Sequence, residues 1–337
     1  MLQLTKYAYC NARIRAFMSR LLEAQVLRRL ADTQRVEEFL DILKMTPYES
    51  FVSSLSEGAD DVRVFERELT RYDLALFRRV LASFFSSTEK KTVLLVMERY
   101  ELNEMKVALR IWHRRAVVNS KDFFLGERIC RAIDFSQIAS AKSFDDILSL
   151  TRKTPYGKPL AGQKEAFLKK GSLFLLETAL DIDYFQRLST HVESLGTLDR
   201  SIARKIVGLE IDAENISWLL RTKRYYPDAA ETGWFIPGGS RIRAREADSF
   251  FTPGETPGIA ESVSLGPFSG IREIVNRDMT SIERFLRQVL MSEVRKALRG
   301  YPFTVGVILG YLTMKQQETR LLMSLYHGKR LGMTTDS

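Results

Sequence analysis

Apolar residues along this chain recur at steps of three and four. Near the start, Ile14, Phe17, Met18, Leu21 and Leu22 follow that spacing. Phe65, Leu69, Tyr72, Leu76, Val80 and Phe84 keep it over about five turns at 3.6 residues each, and Phe174, Leu180, Tyr184 and Leu188 continue it. Such stripes predict amphipathic helices, each with one apolar face toward a core and charges on the other. Strict alternation is nowhere sustained, so the expected fold class is all-α without a large sheet.

Helix boundaries can be read from caps and breakers. Ser143 stands three residues before Asp146, and Thr280 three before Glu283. Both read as capping boxes, in which side chain and backbone satisfy each other's orphan donors at a helix start. Pro227, Pro237, Pro253, Pro257 and Pro267 are five of the nine prolines, with Gly238, Gly239, Gly254, Gly258, Gly266 and Gly270 among them. Residues 227–270 are therefore expected to be mostly loop, either a contact loop or a tolerated insertion.

The helical pattern also repeats. Val36-Glu37-Glu38-Phe39-Leu40 leads to Thr46-Pro47-Tyr48, and Phe144-Asp145-Asp146-Ile147-Leu148 leads to Thr154-Pro155-Tyr156. Both blocks are offset by 108 residues, and the same offset carries Asp73 onto Asp181, Phe77 onto Phe185 and Arg79 onto Arg187. A weaker third copy is Ile282-Glu283-Arg284-Phe285-Leu286, with Tyr301-Pro302 after it. A second element runs from Glu101 to Leu109-Arg110 and from Asp212 to Leu220-Arg221, an offset of 111. The unit turns where proline ends a helix. Three such units fill the 337 residues, giving expected domains at 1–100, 101–210 and 211–337, the last carrying the loop at 227–270.

Composition narrows the class. Hydrophobic residues make up 45% and charged residues 28%, enough to bury a core and too apolar for a disordered chain. The net charge of +9 is mostly interspersed with acid, and it selects no partner class by itself. Cys10 and Cys130 are too far apart in sequence for a metal motif and read as reduced, part-buried thiols. The start, Met1 to Lys6, has no basic segment followed by an apolar one, so no secretion signal is read. The longest apolar run, Thr92 to Met97, is far short of the roughly 20 residues a membrane span needs.

No chemistry stands out. His113, His191 and His327 lack a second ligand at metal spacing. There is no nucleophile elbow and no dinucleotide fingerprint. Gly157 to Lys164 has the glycine spacing of a phosphate loop, but its lysine comes one residue late and no Ser or Thr follows. No cofactor is expected. Trp112-His113-Arg114-Arg115 and Arg224-Tyr225-Tyr226 mix aromatics with base too briefly for nucleic acid. The repeated charges Asp73, Asp181, Arg110 and Arg221 carry two readings: ion pairs between helices of one domain, or a polar surface that meets a partner.

Several short motifs, in order, resemble the C subunit of bacterial and archaeal V/A-type ATPases, whose eukaryotic counterpart is the d subunit. They are Tyr7-Ala8-Tyr9-Cys10-Asn11-Ala12-Arg13-Ile14-Arg15-Ala16, Ser19-Arg20-Leu21-Leu22, the Thr46-Pro47-Tyr48 turn, Asp212-Ala213-Glu214-Asn215 with Leu219-Leu220-Arg221, Ile236-Pro237-Gly238-Gly239, and the closing helix from Tyr311 to Gly328-Lys329. The chain departs from the family pattern in its long Pro/Gly stretch after Gly239 and its eroded third copy. The resemblance implies three similar helical domains in a pseudo-threefold funnel. It implies a torque-carrying, non-catalytic part with the rotating central-stalk subunits D and F on one side. The other side would rest on the proteolipid ring (c/K/L-type) at the cytoplasmic face of the membrane, with membrane contact only through that ring. The alternative is an unrelated α-helical adaptor or nucleic-acid-binding scaffold.

Overall fold

A computed structural model describes residues 2–55, 61–84, 86–116, 119, 123–225, 235–242, 266–274 and 278–332. Among these the chain is all-helical, with no strand. It divides into two compact units, Met1–Ala141 with Gly310–Ser337, and Lys142–Leu309.

The first unit opens with α1 (Leu2–Met18), followed by three short helices, α2 (Ala24–Asp32), α3 (Val36–Lys44) and α4 (Glu49–Ser54). Two long helices follow, α5 (Val62–Leu81) and α6 (Ser87–Arg114), then the short α7 (Phe135–Ala139). Asp61 caps α5 by accepting from the Arg63 N–H, and Ser86 caps α6 by accepting from that of Thr88. The i, i+3, i+4 stripe of α5 is buried: Phe65, Leu69, Leu76, Phe77 and Val80 all face the core. Phe39 of α3 and Phe51 of α4 meet Phe65, whose ring stacks on Tyr326 with centroids 3.8 Å apart. A buried aromatic of this kind typically contributes about 1.5–3 kcal/mol through area removed from water. Tyr326 belongs to the last helix, so the chain's end completes a core begun by its start.

The second unit repeats the order. Short helices α8 (Phe144–Thr151), α9 (Gly157–Gly162) and α10 (Lys164–Lys170) precede the long α11 (Leu173–Glu193) and α12 (Thr197–Tyr225). A 3-10 turn (Gly266–Phe268), the short α13 (Ile271–Ile274) and the long α14 (Met279–Arg299) complete it. The last helix, α15 (Val305–Arg330), begins in the second unit and continues into the first. Long helices thus come in pairs in chain order, α5 with α6, α11 with α12 and α14 with α15. α6 runs unbroken through residue 100 and α12 through residue 210.

The two Thr-Pro-Tyr segments have the same geometry. Thr46 Oγ1 donates to Leu43 O at 2.5 Å and accepts from Tyr48 N at 3.2 Å. Thr154 Oγ1 donates to Thr151 O at 2.7 Å and accepts from Tyr156 N at 3.3 Å. Threonine closes the helix by bonding a terminal carbonyl, and proline bars continuation. Both tyrosines turn inward and are buried.

Some expected details differ. The Ser143–Asp146 capping box forms, but Thr280 lies inside α14. Asp278, two residues upstream, caps instead, its carboxylate accepting from Ser281 N and Ser281 Oγ. Glu283 is drawn to Arg221. Phe174 is half-exposed rather than buried, packing loosely on Trp218 while Leu176 takes the core position. Gly157 to Gly162 is helix, not an open phosphate loop. A side chain at Gly157 would press within 2.7 Å of Thr151 O, so glycine serves helix packing there. Most of 227–270 lies outside the described residues.

Candidate functional site

The most organised polar feature is a buried carboxylate near the middle of the second long helix of each pair. In α6 this is Glu101, which accepts from Cys130 N (2.9 Å), Arg131 N (2.7 Å) and Arg131 Nη1 (2.7 Å). In α12 it is Asp212, which accepts from Ser240 N (3.0 Å), Arg241 N (2.9 Å) and Ile242 N (3.1 Å). In α15 it is Glu318, which accepts from Leu22 N at 2.5 Å. Glu101 and Asp212 each hold consecutive backbone N–H groups of a loop that passes the helix, and Glu318 holds one, giving those donors charge-assisted partners. Burial pushes the Asp212 carboxyl up to about 6, against the pull of its three backbone donors.

The Asp212 clamp also fixes two of the family-like motifs against each other. Asn215, one turn along, donates to Ile236 O and accepts from Ile236 N, both at 2.9 Å. Ile236-Pro237-Gly238-Gly239 is thereby held on Asp212-Ala213-Glu214-Asn215. The glycines are required by contact: Gly238 has φ +101, and a Cβ on Gly239 would collide with Asp212 Oδ1.

Glu318 belongs to a larger buried network in the first unit. Lys315 Nζ lies 3.2 Å from Asp73 Oδ1 and 3.2 Å from Glu318 Oε1. Thr319 Oγ1 and Tyr100 OH donate to Asp73 Oδ2 at 2.6 and 3.2 Å, and Tyr48 OH donates to Glu318 Oε1 at 2.6 Å. Lys315 also contacts the Tyr48 hydroxyl, and its ammonium stands 4.2 Å from that ring's centroid. Burial pulls Lys315 toward neutrality, but Asp73 and Glu318 outweigh it and hold the ammonium charged. Two acids share one base here, and the hydroxyls disperse the excess negative charge.

The four repeated charges fall in different settings. Asp73 is fully buried in that network, a helix-to-helix contact within its unit. Asp181, at the same register on α11, is half-buried, so the repeat keeps the residue and changes its environment. Arg221 is exposed and pairs with Glu283 of α14. Arg110 is exposed on α6, where it lines a cleft of about 610 Å³ in the first unit. The cleft lies between α5 and α6, and Arg63, Arg67 and Arg114 also line it, with Glu66 and Glu104.

A model of the ATP synthase (C/AC39) subunit family matches residues 10–337. This chain belongs to that family. Among similar proteins is the A-type ATP synthase C subunit of Thermococcus onnurineus (strain NA1), 27% identical over 325 residues, spanning 95% of this chain and 86% of that protein. Another is that of Pyrococcus furiosus, 28% identical over 342 residues, with coverage of 95% and 86%. The corresponding protein of Methanococcoides burtonii is 25% identical over 339 residues, with coverage of 98% and 92%.

Membership accounts for the shared motifs, and the geometry explains what they do. The family-like Asp212 and Asn215 grip the loop at Ile236 to Ile242. Glu101 and Asp212 were visible in the sequence as the first residues of a repeated element, but spacing along a helix does not reveal which loop returns to it. Glu318 gave no signal, because its separation from Asp212 is 106 residues where the first offset is 111. Among the described residues no cluster of three His, Cys, Asp or Glu could hold a metal ion. Cys10 donates to Ser83 O, and burial pushes the Cys130 thiol up to about 12, which leaves it a poor nucleophile at neutral pH.

Proposed function

We propose that this chain is the non-catalytic socket of the central stalk in a rotary V/A-type ATPase. On this reading it joins the rotating shaft, subunits D and F, to the membrane proteolipid ring and passes torque between them. The observation that carries it is the family match over residues 10–337. The repeated helix pairs support three similar helical domains, and on this reading they form a pseudo-threefold funnel with ring and shaft on opposite sides. No described helix is long and apolar enough to cross a membrane. Attachment at the cytoplasmic face is therefore assigned to contact with the ring, and no metal, nucleotide or other cofactor is assigned.

The buried clamps suit such a part. Torque must pass through a body without being absorbed by loop motion, and a loop pinned at two or three consecutive N–H groups by a buried carboxylate has little freedom to yield. The test is to assemble the complex with and without this chain and to measure ATP hydrolysis and ion transport in sealed vesicles. Without it, hydrolysis should persist while transport stops. Transport that stays coupled to hydrolysis in its absence overturns the socket reading.

A further inference from the structure

The cleft between α5 and α6 is lined by four arginines, Arg63, Arg67, Arg110 and Arg114, and two glutamates, Glu66 and Glu104. Arg63 stands at the start of α5 and Arg114 at the end of α6, and both are exposed. The Arg63 guanidinium lies over the Phe123 ring, 4.7 Å from its centroid. A cation over an aromatic face at this distance is held electrostatically by the ring. The two acids in the wall are engaged by the protein itself. Glu66 pairs with His327 at 2.8 Å, and Glu104 accepts from Leu125 N at 2.9 Å. Burial pushes the Glu104 carboxyl up to about 7, so it opposes an incoming anion weakly. Arg71 holds the other side of Leu125, with Nη2 donating to its carbonyl at 2.5 Å, which fixes that wall of the cleft.

Arg67, Arg110 and Thr70 add further polar groups to the lining, and Val107 and Ile111 of α6 with Met323 of α15 supply apolar surface beside them. A concave site of about 610 Å³ that sets arginines beside apolar side chains admits a few side chains of a protein segment. It does not admit a flat bilayer or a nucleic-acid duplex. We propose that this cleft receives a protein segment carrying carboxylates beside apolar side chains, with Arg63 and Arg114 gripping the carboxylates. Resting on the socket reading, the segment is assigned to the shaft, subunits D and F, rather than to the ring.

The test uses the full chain, the purified D–F pair and, separately, the detergent-solubilised ring. Dissociation constants are measured for wild type, Arg63→Glu/Arg114→Glu, Arg63→Lys/Arg114→Lys, and a control reversal away from the cleft, Lys153→Glu/Lys169→Glu. The cleft reversal should weaken D–F binding by about tenfold or more and flatten its salt dependence. The lysine pair, which keeps the charge and loses the guanidinium fork, should fall between wild type and the reversal, and the control and all ring affinities should be unchanged. If the double reversal does not fold by circular dichroism, Arg114→Glu alone carries the test. D–F binding that is equal in wild type and a folded reversal overturns the cleft assignment and leaves the socket reading standing. If wild type does not bind D–F at all, both fall. Micromolar ATP binding that Arg114→Glu abolishes would reassign the cleft to a nucleotide and overturn the proposal.

Discussion

Asp212 shows how one side chain can decide the state of a loop. Its oxygens are the acceptors for three consecutive N–H groups, and Asp212→Ala would leave all three without that acceptor, the one at Ile242 buried. An unsatisfied buried donor costs about 1–3 kcal/mol, so with one of the three bonds buried the substitution should destabilise the protein by about 1–3 kcal/mol. Amide exchange at Ser240 to Ile242 should accelerate first. The carboxyl also has a signed pH effect. Its folded pKa, about 6, exceeds the ordinary 3.8. The folded state therefore binds the extra proton, and the stabilisation is fully present below about pH 4. It is lost as pH rises toward 6, and the dependence is flat above that. Denaturant melts from pH 4 to 7 should show this decline, and Asp212→Asn should remove it. A variant melting in parallel with wild type across that range would contradict the assignment. Lys315 is a harsher case. Lys315→Met leaves Asp73 and Glu318 buried together without their cation, and breaking such a pair costs about 3–5 kcal/mol. Adding Asp73→Asn should recover part of the loss, which a thermodynamic cycle over the four proteins would measure.

At the scale of elements, the sequence was legible where local rules act. Periodicity found the helices α1, α5 and α11 because their apolar faces recur every turn, and the 108-residue repeat found α3 and α8. Proline and threonine found the turns because both act within a few residues. The same two bonds form at each turn, so Thr46→Val and Thr154→Val should cost similar amounts, about 1 kcal/mol each. Unequal losses of more than about 2 kcal/mol in denaturant melts would mean that the turns only look alike. The Thr280 cap was misread because Thr-x-x-Glu satisfies the rule on paper, while Asp278 reaches Ser281 and Glu283 has Arg221. Arg221 is exposed and Glu283 partly so, within reach of water, and a double-mutant cycle of Arg221→Ala with Glu283→Ala should give less than about 1 kcal/mol, smaller still in high salt. It also has a counterpart by register. Glu283 is the fifth residue of α14 and Glu66 the fifth of α5, while Arg221 and His327 follow Asp212 and Glu318 by nine. His327 pairs with Glu66 as Arg221 pairs with Glu283. The same register falls on Arg110 in α6 and Glu177 in α11. The third copy is thus eroded in sequence yet retains its polar contacts, because a clamp or pair needs charge at one position and tolerates change around it.

At the scale of the molecule, what the sequence could not show is how the chain's end joins its beginning. Glu318 binds Leu22 N and Tyr48 OH, Thr319 binds Asp73, Lys329 Nζ donates to Ala31 O and Thr33 O, and Tyr326 stacks on Phe65. No local pattern predicts these partners, since periodicity fixes which face of α15 is apolar and not which core it enters. The closure is costly: joining segments separated by about 270 residues carries an entropy term of about 5 kcal/mol from chain length alone. The first unit repays it only with the whole helix in place. Truncation after Leu309 should therefore remove Lys315, Glu318, Leu322 and Tyr326 at once, leaving Asp73 buried without a cation and Phe39 and Phe65 facing a void. We expect amides of α3 to α5 to lose most of their exchange protection in the truncated chain. Those of α11, α12 and α14, whose packing lies within Lys142–Leu309, should keep theirs. Adding residues 310–337 in trans as a peptide should restore part of the protection, in a concentration-dependent way, because the contacts are intact and only their linkage is lost. A truncated chain with α3 to α5 still fully protected would show that the first unit closes without α15, and that the buried Lys315 network is an ornament of the fold rather than its fastening.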